Sequence, residues 1–136
     1  MEIQVKRFFL SNLYTSLPIN PTTPGEVIIT KNVINQGGGT NKPSDFTISV
    51  SGNNPSPASF SGSTDGITVQ LRAGKFSVIE EGPISSDYVP GKYTPNYSAD
   101  CNGTIKSGET KNCIITNKYN PFIPEKVCQL YNEIKE

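Results

Sequence analysis

The stretch Val27-Ile28-Ile29-Thr30-Lys31-Asn32-Val33-Ile34 reads as a buried β-strand with a lysine set into its apolar side. Side chains alternate between the two faces of a strand. Val27, Ile29, Lys31 and Val33 therefore share one face, and Ile28, Thr30, Asn32 and Ile34 share the other. Both faces are apolar enough to be covered. A lysine is almost never fully buried alone, since an unpaired ammonium taken out of water gives up its proton or finds a partner. Something later in the chain should meet Lys31.

The whole chain has the texture of an all-β domain. Its 136 residues suit one core plus some tail, and not two cores. Twelve glycines, eleven prolines and many Ser, Thr and Asn residues punctuate short apolar runs. Basic and acidic residues balance at 12 each, so no basic surplus points to nucleic acid. Histidine and tryptophan are absent, which removes His-based metal sites and Ser-His or Cys-His catalytic pairs. No segment approaches the roughly 18 apolar residues of a membrane helix, and the N-terminus lacks the apolar core of a signal peptide. Membrane insertion is not expected, and secretion would require a leader outside this sequence. Asn35 to Pro43 is glycine-rich, but it lacks the lysine and the strand-to-helix context of a phosphate loop. No motif calls for a cofactor.

Working outward from the Lys31 strand, Asp45 to Ser51 alternates, with Phe46, Ile48 and Val50 on one face. Ala58 to Phe60 reads as a short edge. Gly66 to Leu71 alternates through Ile67, Val69 and Leu71, and Arg72-Ala73-Gly74 reads as a turn. In Lys75 to Glu81 the apolar face is set by Phe76 and Val78, and by parity Glu80 shares it. Residues 82–95 form a proline-rich loop. Tyr97, Ala99 and Cys101 then share a face of the next strand, Asn102 to Glu109 is a polar hairpin connection, and the last strand runs from about Lys111 to Lys118. There Cys113, Ile115 and Asn117 face one way. Cys101 and Cys113 are twelve residues apart, not at metal-ligand spacing, and their equal parity on adjacent strands favours a disulfide over two free buried thiols.

Parity thus delivers Lys31, Glu80 and Asn117, each on the apolar face of a different strand. Their chemistry is complementary. A neutral amine attacks a carboxamide if a protonated carboxyl polarises the carbonyl and relays the protons, which releases ammonia and leaves an isopeptide bond. Burial supplies both protonation states, because desolvation lowers a lysine pKa and raises a glutamate pKa. Contact between amine and carboxamide supplies the effective concentration. Plainer readings stay open on the residues alone: Lys31 snorkelling to the strand end, Glu80 as its ordinary ion partner, and Asn117 hydrogen-bonding at a strand edge.

The order Ile-Ile-Thr-Lys31, then Gly-Lys-Phe-Ser-Val-Ile-Glu80-Glu-Gly-Pro, then Ile-Ile-Thr-Asn117-Lys-Tyr resembles the Cna B-type, or SpaA-like prealbumin-fold, domains of microbial surface proteins and pilins. The resemblance covers about residues 26–119. It implies an intramolecular bond between Lys31 and Asn117 with Glu80 as the autocatalytic acid. It also implies an extracellular or cell-surface setting as a stalk, an adhesin module or a pilus subunit. Two features depart from the family pattern: there is no Leu-Pro-x-Thr-Gly sorting signal, and the Cys101–Cys113 pair suggests a variant that clamps its last hairpin.

The expected organisation is an N-terminal arm and linker over 1–24, a seven-stranded prealbumin-like or immunoglobulin-like β-sandwich over 25–120, and a C-terminal tail over 121–136. In the tail, Val127, Leu130, Tyr131 and Ile134 recur at helical spacing behind Pro124, which suggests a short amphipathic helix. The arm, Ile3 to Leu10, has the alternation of an extra edge strand or of a segment reaching another molecule. The expected function is a structural module of a surface protein or pilus-like filament, partnered by its own copies or by neighbouring modules, and not a multiple-turnover enzyme. The alternative is an adhesin-type module whose loops 52–57 and 82–95 bind a host protein or glycan.

Overall fold

The computed structural model describes residues 23–124 and Glu133. The arm expected over 1–24 lies outside this set except for Thr23 and Pro24, and so does the expected C-terminal helix except for Pro124 and Glu133. Within it the chain forms seven strands: β1 (Gly25–Ile34), β2 (Thr47–Ser56), β3 (Ser59–Ser61), β4 (Ile67–Glu81), β5 (Tyr93–Tyr97), β6 (Asn102–Ile105) and β7 (Thr110–Tyr119). No helix among the described residues is long and apolar enough to cross a membrane.

β1 lies between two partners. On one side it pairs antiparallel with the first half of β4, from Gly25↔Leu71 to Ile29↔Ile67. On the other it pairs parallel with β7, from Glu26↔Thr110 to Ile34↔Lys118. β5 continues that layer beyond β7. The second half of β4 leaves β1 and pairs with β6, from Gly74↔Ile105 to Ser77↔Asn102, while β2 follows its opposite edge and β3 lies outermost. One hydrogen-bonded network is thereby folded into two facing layers joined through β4.

The core lies between them. Val27, Ile29, Val69, Leu71 and Ile115 of one layer meet Ile48, Val50, Phe76, Val78 and Ile105 of the other in a single buried cluster. In β1 the buried positions Val27, Ile29 and Lys31 alternate with half-buried ones. That pattern is the signature of a strand with one face against a core.

Several local expectations change, among them the loop expected over 52–57, where β2 runs on to Ser56. Arg72-Ala73-Gly74 is not a turn but part of a continuous β4 of 15 residues. Gly74, at φ +146°, stands where β4 exchanges β1 for β6; this backbone conformation is open to glycine and strained for other residues, so the strand bends there without ending. β5 starts at Tyr93, inside the stretch expected to be loop, and it accommodates Pro95 because an edge strand tolerates a missing N–H. The strand does not continue to Cys101. Ala99–Cys101 is a 3₁₀ turn, and Asn102–Ile105, expected to be a hairpin connection, is β6 on the opposite layer. Only Ile105 of β6 is buried, so no alternation betrays this strand in the sequence.

Because β1 and β7 are parallel neighbours, the described chain begins at one end of the sandwich and its last strand finishes at the other.

Candidate functional site

The first and last strands supply two of the polar residues. Lys31 follows Val27 and Ile29 on the inward face of β1, and Asn117 follows Cys113 and Ile115 on that of β7. The register pairs Lys31 with Ile115 and Val33 with Asn117, so Asn117 stands one inward step beyond Lys31 on the adjacent strand. Glu80 comes from the facing layer, after Phe76 and Val78 on β4 and opposite Ile48 of β2. Lys31 and Asn117 are 0% exposed and Glu80 6%, so all three are shut off from bulk water.

The Lys31 Nζ lies 3.7 Å from Glu80 Oε2, beyond hydrogen-bonding distance. It donates at 3.0 Å to the carbonyl of Asn32 and sits 4.5 Å from the centre of the Phe46 ring. Both carboxyl oxygens of Glu80 and both polar atoms of the Asn117 side chain are buried without a hydrogen-bond partner among the described residues. Such groups are rare in native proteins, since each costs about 1–3 kcal/mol of lost hydration. Burial pushes the Lys31 ammonium down from 10.5 to about 8, against the upward pull of Glu80. Burial also raises the Glu80 carboxyl above its ordinary 4.5, opposed by the weaker pull of Lys31 and then of the Asn117 carboxamide, which faces it without reaching hydrogen-bonding geometry. Both shifts favour the neutral forms, an amine and a carboxylic acid.

Residues outside the three close the site. Phe46 is fully buried above the amine and packs edge-on against Tyr93, with ring centres 5.4 Å apart. Gly62 roofs the lysine stem: a Cβ there would stand 2.8 Å from Lys31 Cγ and 2.6 Å from the Pro43 carbonyl. Neither role is readable from the sequence, where Phe46 is one apolar residue in an alternating strand and Gly62 one loop glycine among several. Cys101, at the end of the 3₁₀ turn, and Cys113, on β7, lie with their sulfurs 2.07 Å apart. They join the turn to β7 rather than the two strands of a hairpin.

A model of the SpaA-type prealbumin-like fold domain matches residues 22–115. The chain belongs to this family. The matched span holds Lys31 and Glu80 and stops two residues before Asn117. No curated protein matches the chain. Among solved structures, the pilus-presented adhesin Cpa aligns with this prealbumin-like domain at 13% identity and a TM-score of 0.38, over 75% of this chain and 28% of that one. The domain thus spans under a third of that protein's length.

Proposed function

We propose that this prealbumin-like domain is a load-bearing module of a cell-surface protein or pilus-like filament, locked by an autocatalytic isopeptide bond between Lys31 and Asn117 and by a Cys101–Cys113 disulfide. The observation that carries this reading is the buried amine, acid and carboxamide, whose acid and carboxamide have no hydrogen-bond partner among the described residues. The neutral Lys31 amine attacks Cγ of Asn117. Glu80, protonated, gives its proton to Oδ1 as the carbonyl is attacked, accepts one from the attacking nitrogen, passes that one to Nδ2, and takes back the Oδ1 proton as the carbonyl re-forms. The bond from Cγ to Nδ2 breaks, the bond from Lys31 Nζ to Cγ remains, and ammonia leaves. The reaction needs no oxidant and no cofactor, and it runs once per chain.

The topology supports a mechanical role. Tension between the two ends of the sandwich loads β1 against β7, which are parallel neighbours. A covalent bond between their inward faces carries that load in place of the ladder of hydrogen bonds. Proteolysis followed by tandem mass spectrometry tests the reading. A branched peptide joining Lys31 to Asn117 is the expected product, and two separate linear peptides containing unmodified Lys31 and Asn117 contradict it.

A further inference from the structure

On its β6 side, β4 is paired only as far as Ser77. The strand continues to Glu81 with β2 along its other edge, so the Glu80 N–H reaches an edge that no strand among the described residues covers. Tyr97 fills this place. It is the last residue of β5, in the opposite layer, and its hydroxyl accepts the Glu80 N–H at 3.2 Å. Its side chain thereby spans from β5 to β4 beside the site, and the residue is 38% exposed.

We infer that Tyr97 is a positioning residue for the cross-link: its hydroxyl fixes the backbone of the acid Glu80, and its ring closes the open flank of the site to water. The inference rests on the isopeptide reading above. The reaction needs the Glu80 carboxyl aimed between amine and carboxamide, and a small displacement of a catalytic group is costly in rate. Strand pairing with β2 fixes Glu80 from one edge only. The Tyr97 hydroxyl fixes the other. Burial above all raises the Tyr97 pKa above 10.0, and any charge on Glu80 raises it further against the smaller effect of the Glu80 backbone hydrogen bond, so the hydroxyl stays protonated beside the carboxyl.

The two parts of the role separate by substitution. Tyr97→Phe keeps the ring and removes the hydroxyl, whereas Tyr97→Ala removes both. The full chain, its Tyr97→Phe and its Tyr97→Ala variants are refolded from unreacted chains, and ammonia loss is followed by intact mass against time from pH 5 to 10. The same substitutions in an Asn117→Ala background report folding stability without any cross-link. Tyr97→Phe should react about fivefold more slowly than wild type, the worth of one hydrogen bond, with an unchanged pH profile. Tyr97→Ala should in addition lose its reaction at lower pH on the alkaline side, because admitted water returns the Glu80 carboxyl toward its ordinary range. A purely structural tyrosine would lower stability in the Asn117→Ala background and leave the profile of the folded protein alone. If Tyr97→Phe reacts at the wild-type rate the inference is overturned, and if Tyr97→Ala does not fold, that rate alone decides. A wild type that never loses ammonia overturns the cross-link reading itself.

Discussion

Replacing Asn117 by alanine separates the cross-linked account from an ordinary buried ion pair, because the two accounts disagree in sign. In an unreacted protein the Asn117 carboxamide is buried with neither polar atom hydrogen-bonded. Deleting it relieves a desolvated group worth about 1–3 kcal/mol, against a small cavity cost of similar size, so Asn117→Ala should be close to neutral or stabilising. In a cross-linked protein the same substitution opens a covalent loop. Lys31 and Asn117 lie 86 positions apart (117 minus 31). In the chain-entropy model a closed loop of this length stabilises by about 4.6 kcal/mol through its restriction of the unfolded chain. For a domain of this size that corresponds to a fall in melting temperature of about 20 °C or more. Guanidinium titration of wild type and variant, with the slopes compared so that two-state behaviour is checked, measures the difference. A loss of about 4–5 kcal/mol supports the bond. A change of less than about 1 kcal/mol, or a gain, refutes the reasoning.

Other expectations follow from the same geometry. Reducing the Cys101–Cys113 pair, which closes a separation of 12 residues, should cost about 3 kcal/mol in denaturant titration, and peptide mapping of the folded, unreduced protein should find Cys101 and Cys113 protected from alkylation. The Asn117→Ala variant, which retains the free pair, should show a particular dependence on pH. Its Glu80 binds a proton in the folded state that the unfolded chain has released, so stability falls as pH rises above 4.5; its Lys31 is neutral in the folded state but charged in the unfolded one between about 8 and 10.5, so stability rises again there. The cross-linked wild type has an amide at Lys31 and should lack the upper rise, which urea titrations across this range will show. Phe46→Ala empties a fully buried ring position over the amine and should destabilise the fold by about 4 kcal/mol while slowing ammonia loss in refolded chains.

The inward faces were legible because a period of two leaves little freedom. Val27 and Ile29 point to the core of β1, Cys113 and Ile115 to that of β7, and any polar residue in step with them stands out, as Lys31 and Asn117 do. Glu80 stands out on β4 for the same reason, in step with Phe76 and Val78. Which strands are neighbours was not legible. The parallel pairing that sets Asn117 beside Lys31 depends on where β4 bends, and the glycine that permits the bend, Gly74, looks in the sequence like part of a turn. β6 was missed because it lies at an edge with a single buried residue, and polar edge strands carry the composition of loops. Tyr97 was legible as a strand residue, but its hydrogen bond to Glu80 joins different layers and leaves no periodic trace. The same is true of Phe46 above Lys31.

The most direct measurement is the intact mass of the full chain beside its Glu80→Gln variant, both under reducing conditions. Glu80→Gln keeps the shape of the side chain and removes the acid. The account predicts that the folded wild type weighs less than its sequence by one ammonia, while the equally folded Glu80→Gln chain has its full mass. A folded wild type of full sequence mass contradicts the central claim, and so does a Glu80→Gln chain that loses ammonia as completely as wild type.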